Sequence, residues 1–406
     1  MQLQSMETYD VAIVGGGCIG CSVAYYLARD SALDICVIEK EHHLAEHQSG
    51  RNSGVLHPGF NYPPGSLKAQ FASEGTRRMK EYFDTNDLPL DELGVLVVAT
   101  DHEERRRLTE IQHQATENGV ETDLLESQAA IREHEPHAVG EAALYCPEAA
   151  SVDSQKYVYS LAGDAENAGV DFFSGYEVET IETNDSTHQI RTSNGTITSS
   201  YLVNTAGLYA DTLAHQMGVG QEYRIVPFRG EYYELVPEKR HLVQSMIYPT
   251  PDPDLPFLGV HYTRRTDDKV IIGPNAVLAF GREAYANTQF DLSEVLDVLG
   301  YSGFWKLFTS LKMINVGITE LNKSYRKTAF VDAAQKLVPE VEPDDFRKSY
   351  AGIRAQIVRS DGTLVKDPLF KHGSRSTHVL NVVSPGLTSS LPFGDHLASE
   401  VLSRFE

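Results

Sequence analysis

Short apolar runs, each closed by glycine or a polar residue, set the rhythm of this chain. Asp10 to Val14 reads as a strand buried on both faces, Cys21 to Arg29 as the helix after it, and Asp34 to Ile38 as a second strand. Helical spacing returns over Phe71 to Thr85, a strand over Gly94 to Thr100, and an amphipathic surface helix over Asp101 to Gly119. Leu144 to Val152 is extended, and Asp153 with Ser154 caps a helix over Gln155 to Ala168. Strands follow at Val170 to Phe173, Tyr176 to Thr183 and Leu202 to Thr205, with a hairpin about Asn194-Gly195 and a helix over Ala210 to Met217. From Pro227 to Gly273 the pattern turns strand-rich with proline breaks, as in Gly230 to Val236 and Phe257 to Thr263, which predicts a separate antiparallel layer. Leu292 to Lys336 is helical in composition and holds the only tryptophan, Trp305. Its expected role is packing over the neighbouring layer, ahead of contact with a membrane surface or partner. Strands around Ser349 to Val358 and His378 to Val383 and a helix from Gly394 to Phe405 close the chain.

The first run leads into chemistry. Gly15, Gly17 and Gly20 follow it with GxGxxG spacing: the first glycine makes the turn, the second lets backbone approach a pyrophosphate, and the third lets the helix lie against the strand. The anion would rest on the helix N-terminus. Glu39, 19 residues past Gly20, ends the second strand where a carboxylate accepts hydrogen bonds from an adenosine ribose and repels a 2′-phosphate, which disfavours NADP. The competing reading is a glycine-rich turn that only joins strand to helix. Gly50 to Gly59 is a second Gly/Ser-rich stretch, and two such loops close together predict a long cofactor. In it Arg51 faces a phosphate or a carboxylate, Ser53 and Gly54 offer backbone N–H groups, and His57 stands at the reactive end or is a turn histidine satisfied by backbone. Ala206-Gly207 and the loop Ser384 to Ser390 each follow a strand and precede a helix, where open α/β sheets bind ligands.

Length and composition narrow the class. With 406 residues, two domains are the expectation, and 41% hydrophobic with 23% charged residues is ordinary for a globular protein. No apolar run approaches the roughly 20 residues of a membrane helix, and Met1 to Thr8 is polar, so a cytoplasmic protein is expected, with peripheral attachment to the inner face of a membrane as the alternative. Net charge is −22, from 57 acidic against 35 basic residues, which disfavours nucleic acid and anionic lipid as partners. The same excess suggests a chain built for a high-salt cytoplasm, where screening removes self-repulsion. Cys18, Cys21, Cys36 and Cys146 are too few for a disulfide framework, and the CxxC inside the glycine turn has no second pair to complete a metal site.

Taken together, GGGCIG with Glu39, HQSGRNSGVLHPGFNYPPGSLKA at 47–69, VNTAGLYAD at 203–211, RGEYYEL at 229–235, PFLGVHYTRR at 256–265, GPNAVLAFGREAY at 273–285, AGIRAQ at 351–356 and SPGLTSS at 384–390 resemble the FAD-dependent oxidoreductases of the D-amino-acid oxidase type, and within them the L-2-hydroxyglutarate dehydrogenases and oxidases. The resemblance implies an α/β fold: a discontinuous Rossmann-like FAD-binding domain (1–84, 153–222 and 346–406) and an α+β substrate domain on an antiparallel sheet (85–152 and 223–345), with a helical excursion at 292–336. It implies FAD held by Gly15, Gly17, Gly20, Glu39, Lys40, Arg51, Asn52, Ser53, Gly54, Val178, Ala206, Gly207, Gly386, Leu387 and Thr388.

The same resemblance implies hydride transfer from C2 of L-2-hydroxyglutarate to flavin N5, giving 2-oxoglutarate. Arg354, the arginine of AGIR, would clamp the C1 carboxylate through a bidentate pair. A histidine is the reasonable base, with His57 placed ahead of His261 for its loop and the reverse assignment kept open. Tyr232, Tyr262, Arg264 and Lys68 are the candidates for the second carboxylate. A D-amino-acid or glycine oxidase, a glycerol-3-phosphate dehydrogenase and a non-catalytic flavin protein are the alternatives. The electron acceptor, oxygen, quinone or protein, stays open. Pro58, Phe60 and Pro392 depart from the family pattern.

Overall fold

The computed structural model describes residues 7–252, 258–307, 320, 324, 326–382 and 384–405. Its first sheet has eight strands, with Gly195–Asn204, Glu7–Val14, Ile35–Glu39 and Asp171–Ser174 adjacent and parallel. Gly195–Asn204 is shared along its length: its first half forms the hairpin with His188–Thr192, and its second half pairs in parallel with Ser376–Asn381. The parallel strands are apolar throughout because helices cover them, and Val11, Ile13, Val37 and Val203 are fully buried in one cluster with Leu27, Phe83, Tyr157 and Phe393.

Two close approaches set the helix layer. A Cβ on Gly20 would lie 1.9 Å from the Gly15 carbonyl oxygen, and one on Gly394 would lie 2.1 Å from Ser22 Oγ. Helix Cys18–Asp30 can therefore lie against both its own strand and the last helix, Ser390–Leu402. Pro392 is the third residue of that last helix, where an N–H would have no intrahelical acceptor, so the ring is tolerated. Phe60, the other departure of size, is 2% exposed in an apolar cluster with Val95, Val97 and Tyr248.

The second sheet has nine strands and is antiparallel except where Met246–Pro249 runs parallel to Val95–Ala99. Its longest pairing joins Tyr223–Leu235 to Phe346–Arg359. That pairing corrects the sequence-based division of the chain: 346–359 was placed with the nucleotide-binding unit, yet it bonds in the second sheet over its whole length. The reason is hydrogen-bond demand, since a strand of this length with Ile353 and Ile357 buried needs a partner of similar length, which among the described residues Tyr223–Leu235 supplies. A third, three-stranded sheet joins Val55–Leu56 and Leu90–Asp91 through Ala150–Val152.

The expected helical excursion is described in part, as Leu292–Gly300, Ser302–Leu307 and Lys327–Gln335. Its packing role is divided. Val298, Phe304 and Leu307 bury against Val226, Phe228 and Val358, whereas Trp305 is 58% exposed, because its indole N–H turns back to the Leu299 carbonyl. Most of 308–325 lies outside the described residues, as do 253–257 at the start of the expected strand Phe257 to Thr263. No described helix is long and apolar enough to cross a membrane.

Candidate active site

One elongated cavity of about 660 Å³ joins the two large sheets. It begins where the first sheet's strands end, at Val14, Gly15, Gly17, Glu39 and Ala206, and it reaches His57, Tyr232, His261 and Arg354 on the second sheet's side. The glycine turn builds the near end by geometry. Gly15 has φ of +108°, and a Cβ there would lie 2.5 Å from the Thr205 carbonyl oxygen, so the turn must be glycine for the strand ends to meet. Glu39 is partly committed to the fold, accepting from Gly16 N at 2.8 Å and from Glu41 N at 3.0 Å, and it still faces the cavity.

The loop from Lys40 to Gly54 forms one wall, shaped by its own polar groups. Asn52 donates to the carbonyls of Gln48 and Ser49 and accepts from Gly54 N, and Ser49 Oγ accepts from Cys18 N at the start of the first helix. Arg51 donates to the Glu46 carbonyl and lies over the Tyr285 ring at 4.2 Å. Opposite, Val178, Ala206, Gly207, Gly386, Leu387 and Thr388 line the cavity.

Two expected contacts need correction. Gly20 packs helix on strand rather than lining the cavity. The Gly54 N–H is taken by Asn52, and a Cβ on Gly54 would lie 2.5 Å from the Val152 carbonyl oxygen, so this glycine serves a tight turn.

The far end gathers the buried ionisable side chains. His261 begins strand His261–Arg264, in which alternate side chains face opposite sides. His261 therefore faces the cavity while Tyr262 and Arg264 point away, which overturns their assignment to the substrate. Tyr262 is fully buried and donates to the Ala334 carbonyl, and Arg264 bonds the carbonyls of Arg240 and Val243 and pairs with Asp268.

His261 Nδ1 lies 2.9 Å from the Gly259 carbonyl oxygen. A carbonyl only accepts, so Nδ1 carries the proton and Nε2 the lone pair. His57 is fixed at its backbone, which donates to Thr388 Oγ1 at 3.0 Å. Tyr248 stands between the rings, 3.4 Å from His57 Nε2 and with its ring centre 4.3 Å from that of His261. Burial pushes both imidazoles down to about 4; His261 and then Lys68 add to the shift of His57, whereas on His261 the Gly259 carbonyl works against the shift and Arg354 adds to it. Both are neutral at pH 7, and charge on His261 would further disfavour charge on His57.

Arg354 stands on Phe346–Arg359 opposite Phe228, and burial pulls its guanidinium below the ordinary range while the Tyr232 and Tyr62 phenols work against that shift. Tyr232 stacks on Tyr350 at 4.8 Å, and Tyr350 donates to the Asn52 carbonyl at 2.7 Å. Gly352, two residues from Arg354, passes so close to the cofactor-side loop that a Cβ there would lie 2.2 Å from the Arg51 carbonyl oxygen. Lys68, in the first turn of helix Leu67–Thr85, places its ammonium 4.5 Å over the Tyr62 ring and makes no ion pair among the described residues. Burial first, then the charge of Arg354, pushes it down to about 8, and its field also reaches His57.

Sequence reasoning missed Ser49, Tyr248, Tyr62 and Gly352. For Gly352 a signal existed, since a glycine inside a strand marks close backbone approach. For Tyr248 there was none.

The profile of the FAD dependent oxidoreductase family matches residues 10–400 of the chain. Among relatives, the mitochondrial L-2-hydroxyglutarate dehydrogenase of Nematostella vectensis is 40% identical, covering 100% of this chain and 93% of its own. That of Homo sapiens is 39% identical (99% and 90%), and the L-2-hydroxyglutarate dehydrogenase of Escherichia coli K12 is 38% identical (97% and 93%). Among solved structures, the FAD-bound L-alpha-glycerophosphate oxidase of Mycoplasma pneumoniae superposes with a TM-score of 0.79 at 24% identity, covering 98% of this chain and 95% of its own. The glycine oxidase of Geobacillus kaustophilus gives 0.73 at 21% identity, covering 98% and 95%.

Proposed function

The chain belongs to the FAD-dependent oxidoreductase family, and on that footing we propose that it oxidises L-2-hydroxyglutarate to 2-oxoglutarate. The observation that carries the substrate is a pair of cations near two neutral imidazoles: Arg354, which lines the cavity with His57 and His261, and Lys68, over the Tyr62 ring and close enough for its charge to act on His57. An amino acid or a monocarboxylate needs one cation; a 2-hydroxydicarboxylate needs two.

The residues present suit FAD. The cavity is long enough to run from a ribose-facing carboxylate at Glu39 to the imidazoles, and the Gly15 turn admits no side chain where the nucleotide would enter. When bound, FAD supplies the two-electron acceptor for the C2 hydride. Arg354 pairs with the C1 carboxylate and fixes the face that C2 presents. Lys68 receives the C5 carboxylate. His261 Nε2, with its lone pair set by the Gly259 carbonyl, takes the hydroxyl proton, and burial excludes the water that would compete for it. His57 stays neutral and holds Tyr248. This order reverses the ranking suggested by loop position, and the tautomer of His261 is its support.

Anaerobic addition of L-2-hydroxyglutarate to the yellow protein is expected to bleach the flavin band, and glycine, a D-amino acid or glycerol 3-phosphate to leave it intact. Bleaching by a D-amino acid alone would reverse the substrate assignment.

Lys68→Met should raise KM for L-2-hydroxyglutarate about 30-fold, some 2 kcal/mol for a lost charge-assisted bond. Oxidation of the monocarboxylate L-2-hydroxybutyrate should change less than threefold. In the unmodified enzyme, KM for the diacid should climb above pH 8 as the ammonium loses its proton; that rise should vanish in the variant. An equal loss on both acids would mean that Lys68 only supports the fold.

A further inference from the structure

The motif at 281–285 touches neither the imidazoles nor the clamp, yet it is bonded to both walls of the cavity's nucleotide half. On one wall, Glu283 pairs with Lys40, and Tyr285 Oη lies 2.6 Å from His47 Nδ1 while its ring carries Arg51. On the other, Tyr209 Oη donates to Glu283 Oε1 at 2.7 Å. Lys40, His47, Arg51 and Tyr209 all line the cavity.

The segment itself is anchored in the interior. Arg282 makes a two-bonded pair with Asp211, at 2.6 and 3.1 Å, and Asp211 is fully buried and also accepts from Ile225 N. Arg229, 2% exposed, donates to the Ala284 carbonyl at 3.1 Å. A short strap thus ties the irregular loop 40–51 to the turn after Thr205 on the opposite wall of the cavity. Separating those walls requires breaking the bonds of Glu283 and Tyr285 while Arg282 stays fixed.

We infer that Glu283 and Tyr285 are positioning residues for the cofactor, and that the strap they form across the cavity sets how long FAD is retained. Both act through Lys40, His47, Arg51 and Tyr209. The Glu283 and Lys40 side chains are 36% and 23% exposed, so solvent screens the pair and the effect is moderate.

The test is the rate of FAD release from the holoprotein, followed by the rise in flavin fluorescence after large dilution into flavin-free buffer. The double variant Glu283→Gln/Tyr285→Phe should release FAD roughly tenfold faster. Raising salt from low to moderate ionic strength should accelerate release in the unmodified protein and leave the variant unchanged. The melting temperature of the apoprotein should match between the two, with only the gain on adding FAD reduced. Release at the unmodified rate or slower, or an apoprotein destabilised as much as the holoprotein, would overturn the assignment. If the double variant fails to fold, Tyr285→Phe alone, which keeps the ring under Arg51, carries the same test with a release rate raised at least threefold.

Discussion

Arg354→Leu is expected to lower kcat/KM for L-2-hydroxyglutarate by roughly a thousandfold. The guanidinium is desolvated by its surroundings before substrate arrives, so a carboxylate that meets it gains a charge-assisted, two-bonded contact in a dry setting. Removing one partner of such a buried pair costs about 4 kcal/mol, much of it from leaving the carboxylate unpaired. Arg354→Lys should fall between, at a loss of about 30-fold, because an ammonium keeps the charge and lacks the fork. Steady-state kinetics with both variants decide the matter, provided each still binds FAD. A loss under threefold for leucine would remove Arg354 from the substrate.

His261→Asn should reduce the rate of anaerobic flavin bleaching by about a thousandfold at saturating substrate, within the range for loss of a general base. Substrate affinity should change little, because the imidazole acts on the proton rather than on either carboxylate. His57→Asn should cost about tenfold, by loosening Tyr248. Because burial holds His261 near 4, the bleaching rate in the unmodified enzyme should stay flat from pH 8 down to about 5 and fall below that as the imidazole gains a proton. A larger loss for His57 than for His261 in rapid-mixing experiments would exchange the two roles.

Much of the lining of the cavity's near end could be read in the chain because it rests on local rules. The glycine spacing, the acid that ends the second strand and the loops after Leu202–Thr205 and before the last helix each carry their meaning within a few residues. The substrate half was less legible for a reason of phase. In HYTR, His261, Tyr262 and Arg264 were all candidates, and the pairing of His261–Arg264 with Met246–Pro249 and Val270–Gly273 decided that His261 would face inward and Arg264 outward. Tyr248 lies on a strand whose neighbour, Val95–Ala99, is distant in sequence, so no local pattern places it beside two histidines. The pairing of 346–359, grouped from sequence with the nucleotide-binding domain, was illegible for the same reason, since its partner is set by length and register across more than a hundred residues.

The crossing of Gly352 over the Arg51 carbonyl has a consequence for tolerance. An active site assembled from two sheets is exposed to their rocking, as two workpieces drift when they are clamped to separate benches. Here the gauge is cut from one piece: Arg354 stands two residues from a contact that abuts the cofactor-side loop, and Tyr350 bolts to that loop four residues before it. Sheet motion would therefore carry Arg354 and the loop together, and under the proposed role of Arg354 that joint would set how far the substrate stands from the cofactor.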